Sequence, residues 1–560
     1  MAFFDRELIG RIVRLAFPVV LLNLLQHTVL VADTIMIAMS PAGAIGNAAL
    51  GVALPITFLV VTMIMAVTAG AMSLVGQRVG AREPAQAAHV AKQSLALSFG
   101  LGLVLSLLGV LAAPWAAGLI NSGGDPEVTR LAGVYLQTLF AGGIPLFGTF
   151  AVSSIMLGSG DGTTPLKIHA AMNAANVVLS AFLIFGLGPF PELGVQGAAL
   201  ASVLARTLGL TLGLWLLWRG TGQLSLRAGG SWLPEALTSG RILRIGLPAA
   251  LQPFLALGSF SVSLAIVTST AAGSIGAAAV NIGMTIDGVG VTAAFGTLVA
   301  ANSLVAQALG AWQPREARRR VAGIALLTGG LMSVIALAMA LAAPLLMGLF
   351  IRPGQDPDQV AALHVLTVTY LRIIALGLPF LGVSLTLTGA LRGAGDTFRP
   401  MILTGISRWL VTVPLGWLLA IPAGWEAPGV FWAITLGQVV QCLGMIWLLR
   451  DPDWHLVALR SQDAGRIFRA LDPQDRGLFL ALREELMAPP GARESVTGAS
   501  ASYRYAGQVL TLTVRGGRIA VESPGGELAL NPERIGALVA AFARSTPGEP
   551  SSSTATRIIN

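Results

Sequence analysis

Cysteine is almost absent: the chain of 560 residues holds one, Cys442. A single thiol excludes an internal disulfide, and with it a disulfide-stabilised extracellular fold. Charge is equally scarce. Charged residues fill 11% of positions, where a soluble domain carries roughly 25%; hydrophobic residues fill 54%, and the mean hydropathy is +0.75. Water is thereby excluded as the main solvent. The five histidines and the cysteine form no cluster at metal-ligand spacing, and no Gly-x-x-x-x-Gly-Lys-Ser/Thr loop is present. No cofactor and no direct use of ATP is expected. The lack of a nucleophile–base or metal constellation makes a membrane enzyme the weakest reading. The first apolar stretch has no small-residue cleavage site after it and is read as a retained helix.

What the sequence has in abundance is long apolar runs, near 12–39, 45–77, 88–119, 129–157, 165–187, 193–218, 242–270, 275–306, 318–350, 361–391, 400–421 and 428–449. About 20 apolar residues span the hydrocarbon core, so twelve transmembrane helices are expected. The formal net charge is +8, and short connections after even-numbered helices carry Arg78, Arg82, Lys92, Lys167, Arg219, Arg227, Arg241, Arg244, Arg315, Arg318, Arg319, Arg320 and Arg399, against little Lys or Arg beyond Arg130 and Arg352 in the others. The intervening connections carry Asp125, Glu127, Glu192, Asp356, Asp358 and Glu426. By the positive-inside bias both termini face the cytoplasm of a plasma (inner) membrane, and nucleic acid is not needed to explain the charge.

An internal repeat organises these runs. Leu15-Ala-Phe-Pro18 matches Ile245-Gly-Leu-Pro248, Gln77-x-x-Gly80-Ala81-x-x-Pro84 matches Gln307-x-x-Gly310-Ala311-x-x-Pro314, and Ala113-Pro114 matches Ala343-Pro344, each 230 residues apart. Gly158-x-Gly160-Asp161-x-x-x-Pro165 recurs as Gly393-x-Gly395-Asp396-x-x-x-Pro400 at a spacing of 235. The fold expected is all-α and polytopic, in two pseudo-symmetric six-helix bundles over 1–225 and 226–450, with a cavity between them near the midplane. Residues 451–545 read as a small α+β cytoplasmic domain. It has helices at Asp463–Leu471, Asp475–Met487 and from Asn531-Pro532 to Arg544, and a hairpin from Gln508–Val514 to Arg518–Glu522. The tail 546–560 reads as disordered.

Several of these motifs resemble the multidrug and toxic compound extrusion (MATE) exporters. They are the repeated Gln-x-x-Gly-Ala loop, Val31-Ala-Asp33-Thr-Ile-Met36, Gly160-Asp161-x-x-x-Pro165, Asn176-Val-Val-Leu-Ser180 with Ile184-Phe-Gly186, and Gly194-x-x-Gly197-Ala198-Ala199. The likeness covers about residues 8–450. It implies a V-shaped pair of bundles, alternating access, and export of amphipathic, often cationic compounds against inward H⁺ or Na⁺. Sodium-coupled members carry acids on the first and fourth helices of the second half, but Leu251–Thr268 and Leu378–Thr388 hold none here. Ser180 occupies a position that is often aspartate. Coupling through the first half, by protons, is therefore favoured.

Asp33 lies in an unbroken apolar stretch, where a carboxylate is costly unless it meets a cavity or a partner. Protonation would remove its charge and change its hydrogen bonds with Asn176 and Ser180, which are four apart and share a helix face. The plainer reading leaves Asp33 hydrated near the outer interface. Asp287, among Gly283, Gly288 and Gly290, is either a second proton or cation site or a hydrogen-bond acceptor for a nearby backbone turn. Arg206 and Arg408 are counter-ions, contacts to an anionic substrate, or cations paired with carbonyls and snorkelling to the interface. Asn173, Met172, Met284, Arg206 and Arg408 are the candidates for the substrate cavity. The wider methionine set Met63, Met65, Met72 and Met156 fits adaptable lining or plain packing. His27 and His169 fit a proton relay or helix–helix hydrogen bonds, and Gln77 and Gln307 fit helix termination and loop shaping.

The function expected is a secondary antiporter, monomeric in the lipid bilayer, moving small amphipathic molecules with H⁺ or Na⁺ as the coupling ion. A lipid-linked oligosaccharide flippase would need a more basic cavity. A scaffold or receptor for the C-terminal region would lose its function on deletion of 455–560.

Overall fold

The computed structural model describes residues 6–220, 224–350, 357–451 and 454, and five strands between 493 and 528. The first half contains α1 (Arg6–Met39), α2 (Gly43–Gly80), α3 (Pro84–Ile120), α4 (Pro126–Ala141), α5 (Gly143–Gly158), α6 (Thr163–Phe185) and α7 (Gly194–Arg219). The second contains α8 (Ala236–Thr268), α9 (Gly273–Gly310), α10 (Pro314–Gly348), α11 (Pro357–Gly393), α12 (Phe398–Gly405), α13 (Val413–Ala420) and α14 (Glu426–Arg450). A π-helical segment, Ile406–Thr412, joins α12 to α13 into one span. Among the described residues, eleven helical segments are long and apolar enough to cross a membrane, and α4 with α5, bent by 56°, makes the twelfth.

The run expected over 129–157 is this bent pair, counted as one span. A Cβ on Gly142 would stand 2.5 Å from the Val203 side chain, and one on Gly143 would stand 2.4 Å from the Gly102 carbonyl. The chain breaks where α3 and α7 approach its backbone from both sides. The matching span of the second half, α11, runs unbroken through Pro379.

The repeated Gly-x-Gly-Asp motif is a helix-to-helix corner. Gly160 and Gly395 take φ of +91° and +84°, a region that favours glycine. The aspartate that follows accepts from amides in the first turn of the next helix: Asp161 Oδ1 from Thr163 and Thr164 at 3.0 Å, and Asp396 Oδ1 from Arg399 at 3.2 Å.

The halves interlock crosswise. α2 packs on α8, where a Cβ on Gly246 would lie 1.7 Å from the Ala66 carbonyl oxygen. Ile12, Leu15 and Ala16 of α1 share an apolar cluster with Ala300, Ala301 and Leu304 of α9. Gln77 and Gln307, read as loop-shaping residues, reach across the boundary instead: Gln77 Nε2 donates to the Gly393 carbonyl at 3.0 Å and Gln307 Nε2 to the Gly158 carbonyl at 3.1 Å. Both halves belong to one compact unit, Met1–Gln307 with Ala317–Trp454.

The second unit contains the strands β1 (Arg493–Thr497), β2 (Ser500–Tyr505), β3 (Gln508–Arg515), β4 (Arg518–Ser523) and β5 (Gly526–Leu528), paired antiparallel in chain order. The hairpin expected near 508–522 is β3–β4, in register Thr513 with Ala520. Of the five strands, β3 and β4 are those that the sequence pattern predicts. The helices expected at 463–471, 475–487 and 531–544, and the tail 546–560, lie outside the described residues.

Candidate functional site

α1 carries Asp33 into the interior of the first half, where it is 8% exposed. Ser180 Oγ on α6 donates to Asp33 Oδ1 at 2.9 Å. α6 presents a single buried stripe of polar side chains, His169, Asn173, Asn176 and Ser180, at spacings of four, three and four. α7 meets that stripe with small residues and one cation: Asn176 Nδ2 donates to Ser202 Oγ at 3.1 Å. Asn176 was expected at Asp33 but sits one turn below Ser180, and its amide reaches α7 instead.

Arg206 follows Ser202 by one turn of α7. Its charge is within electrostatic reach of Asp33, Tyr135 and His169. Its backbone carbonyl accepts from Thr149 Oγ1 at 3.1 Å, while its own Nη1 is buried without a hydrogen-bond partner. Neither carbonyl pairing nor a reach to the interface accounts for that nitrogen. Asn173 Nδ2, Asn176 Oδ1 and His169 Nδ1 are likewise buried and unpartnered. His169 Nε2 shares a hydrogen bond with Ser153 Oγ of α5 at 3.1 Å. Buried polar atoms almost always have a protein or water partner, so this stripe is chemically suited to hold water or exchange protons.

The second half repeats the scaffold without the chemistry. At the repeat offsets of 230 and 235 residues, Asp33 corresponds to Ser263, Asn173 to Arg408, Ser180 to Leu415 and Arg206 to Gln441. Its acid, Asp287, stands on α9 and accepts from Tyr370 Oη of α11 at 3.2 Å. α9 is helical throughout here, so no open turn between glycines exists for Asp287 to bond. The glycines serve close packing: a Cβ on Gly283 would fall 2.1 Å from the Tyr370 ring, which meets Phe431 edge-on. No hydrogen bond or ion pair joins Asp33 to Asp287 among the described residues.

The remaining cavity candidates divide. Met172 packs α6 onto α7, with its Sδ 3.0 Å from where a Gly209 Cβ would be, whereas Met284 on α9 is 40% exposed. Arg408 lies in the π-helical segment with a buried, unpartnered Nε. The His27 side chain lies outside the described residues. Sequence reasoning missed Tyr135, Tyr370, Ser202 and the buried Arg392, whose guanidinium donates to Gln252 Oε1 of α8. A signal for the tyrosines existed: the chain has four, two lie in apolar runs, and each of those stands near a membrane acid.

A family profile described as MatE matches residues 18–182 and 248–418, one block in each half. The protein of Thermotoga maritima named "Probable multidrug resistance protein NorM" is 29% identical over 419 residues, covering 73% of this chain and 85% of its own. "Multidrug resistance protein NorM" of Burkholderia vietnamiensis is 28% identical over 453 residues, with 80% and 94% covered. Among solved structures, a MATE crystal structure in the bent conformation superposes with a TM-score of 0.71 at 22% identity, over 80% of this chain and 96% of that one. That likeness concerns the fold.

Proposed function

We infer that this chain, which belongs to the MatE family of membrane transporters, is a secondary antiporter exporting amphipathic cations against protons, with Asp33 as its switch. The observation that carries the reading is the 2.9 Å bond from Ser180 to Asp33, which ties α1 to α6 through a buried carboxylate. Ionised, Asp33 accepts this bond and balances the charge of Arg206. Protonated, it loses the charge, the bond to Ser180 weakens, and α1, which carries Pro18 within its helix, repacks against α6. Proton binding then biases one arrangement over the other because the two arrangements bind it unequally. The sodium alternative is less supported, since this site holds a single carboxylate and the second-half stretches Leu251–Thr268 and Leu378–Thr388 hold no acid. Multidrug resistance relatives support a broad amphipathic substrate class, and the exposed Met284 is an adaptable contact on the second half. The basic connections favour cytoplasmic termini by the positive-inside bias.

The test is dye efflux from vesicles under an imposed pH gradient, comparing wild type with Asp33→Asn at equal protein level. Gradient-driven efflux in the wild type and its loss in the variant is expected. Equal activity in both would make Asp33 structural. Efflux that follows only a sodium gradient would replace the proton.

A further inference from the structure

We propose that the junction between the two halves carries a binding site for the headgroup of an anionic phospholipid. The site begins with the last turn of α7, Trp215-Leu-Leu-Trp218-Arg219. After it, Ser225 caps a short 3-10 turn, Leu226–Ala228, and Leu226 is buried. Leu214, Trp215, Trp218, Leu226 and Trp232 line an open surface recess of about 320 Å³. Three cations stand on those indoles: the Arg219 guanidinium 4.0 Å from the Trp215 ring, Lys92 Nζ 5.6 Å from Trp232, and Arg227 5.8 Å from Trp218.

The recess is fixed in shape by its ties to α3. Gln93 Nε2 donates to the Ser231 carbonyl at 3.1 Å and the Leu233 carbonyl at 2.7 Å, its Oε1 accepts from the Glu235 amide at 2.7 Å, and Lys92 donates to the Gly230 carbonyl at 2.9 Å. The nearby acid, Glu235, is engaged with His89 and Thr238, both at 2.8 Å. Arg219 and Arg227 have no acid within ion-pair distance among the described residues, so two guanidiniums face the rim of an apolar recess uncompensated.

This combination selects its ligand. The two guanidiniums attract the phosphate chiefly by charge, and paired basic and aromatic side chains at the end of a membrane helix meet headgroups at their own depth. An apolar wall beneath the cations accommodates the glycerol and the upper acyl chain of a lipid, which a free phosphate lacks. The bound lipid would touch both α7 and the linker that leads to α8, the one covalent connection between the halves.

Native mass spectrometry of the full chain in neutral detergent tests this, titrating phosphatidylglycerol against phosphatidylcholine with identical acyl chains. Wild type should retain phosphatidylglycerol in preference. Arg219→Gln with Arg227→Gln should lower that affinity by roughly fivefold for each arginine, and Arg219→Lys with Arg227→Lys should restore most of it. The lysine variant keeps the charge, so its result stands even if the glutamine variant folds poorly. Equal retention of the two lipids by wild type, or unchanged phosphatidylglycerol binding in the glutamine variant, would reduce the tryptophans to a general interfacial belt and overturn the site. Full displacement of phosphatidylglycerol by equimolar glycerophosphoglycerol or inorganic phosphate would overturn it too, in favour of a soluble anion.

Discussion

Gln77 on α2 donates its side-chain amide to the Gly393 carbonyl at the end of α11, 3.0 Å away across the boundary between the halves. Its repeat partner Gln307 makes the reciprocal bond to Gly158 at the end of α5, at 3.1 Å. One turn earlier, Ser73 Oγ donates to the Arg392 carbonyl at 2.8 Å and Ser303 Oγ to the Leu157 carbonyl at 2.7 Å. Gln77 and Gln307 thus satisfy carbonyls that a helix C-terminus leaves without partners, while Ser73 and Ser303 add a second bond to carbonyls that already accept from the Gly395 and Gly160 amides; all four reach into the opposite half. The bonds tie the two halves together at this end of the molecule.

A net contribution of about 1 kcal/mol per bond makes the closure adjustable. Gln77→Ala with Gln307→Ala should raise the population open at this end by roughly tenfold or more. Amide exchange at 157–160 and 392–395 should accelerate accordingly. Exchange unchanged from wild type would mean the glycine packing alone keeps the end shut.

Ser180→Ala leaves Asp33 buried beside a methyl group. Loss of a bond to a buried charged acceptor costs about 1–3 kcal/mol, so coupled efflux should fall severalfold and Ser180→Thr should recover most of it. A Ser180→Ala protein that follows the pH gradient as well as wild type would show that the α1–α6 tie is not used in coupling.

Tyr370→Phe removes the donor to Asp287 while keeping the ring that fills the space against Gly283. Because coupling is assigned to the first half, this variant should melt lower by about 1 kcal/mol of stability and keep its response to a pH gradient. Intact melting with lost coupling would move the proton site to the second half.

The bilayer itself made the span count legible, because each crossing requires about 20 apolar residues. Equal offsets likewise exposed the repeat. The meeting of Ser180 with Asp33 was readable from two motifs, one on each helix. What stayed hidden depends on distant chain. Nothing local tells that Gln77 will find a carbonyl 316 residues away. Ser202 sits among alanines and glycines with no motif of its own, so Asn176 could not be seen to prefer it. The break at Gly142 follows from how closely α3 and α7 approach, a tertiary fact that one apolar run over 129–157 conceals.

Glu235 lies outside the membrane spans, and hydrogen bonds from Thr238 and His89 hold its carboxyl below the ordinary 4.5. The folded chain then binds that proton more weakly than the unfolded one, so the contribution is present above pH about 4.5 and is lost as pH falls through the lowered value. Wild type should melt above Glu235→Gln at pH 7, and the gap should close on acidification below pH 4.5. A gap constant across that range would show that the side chain acts through shape alone.

Gly246 and Gly51 offer a paired test of how the halves are held. A Cβ at Gly246 would lie 1.7 Å from the Ala66 carbonyl oxygen and 2.4 Å from its carbon, and that neighbour is backbone of α2. A Cβ at Gly51, also within a helix, meets nothing within 4 Å. Overpacking against an immovable neighbour costs about 1–3 kcal/mol or more, while alanine in an unobstructed helix position gains roughly 0.5–1 kcal/mol over glycine. Gly246→Ala should therefore lower the melting temperature in detergent and Gly51→Ala should leave it equal or higher. Should Gly246→Ala melt like wild type, α2 and α8 would have to separate at little cost. The crosswise contact would then be a sliding surface on which the halves move and not the axle that keeps them together.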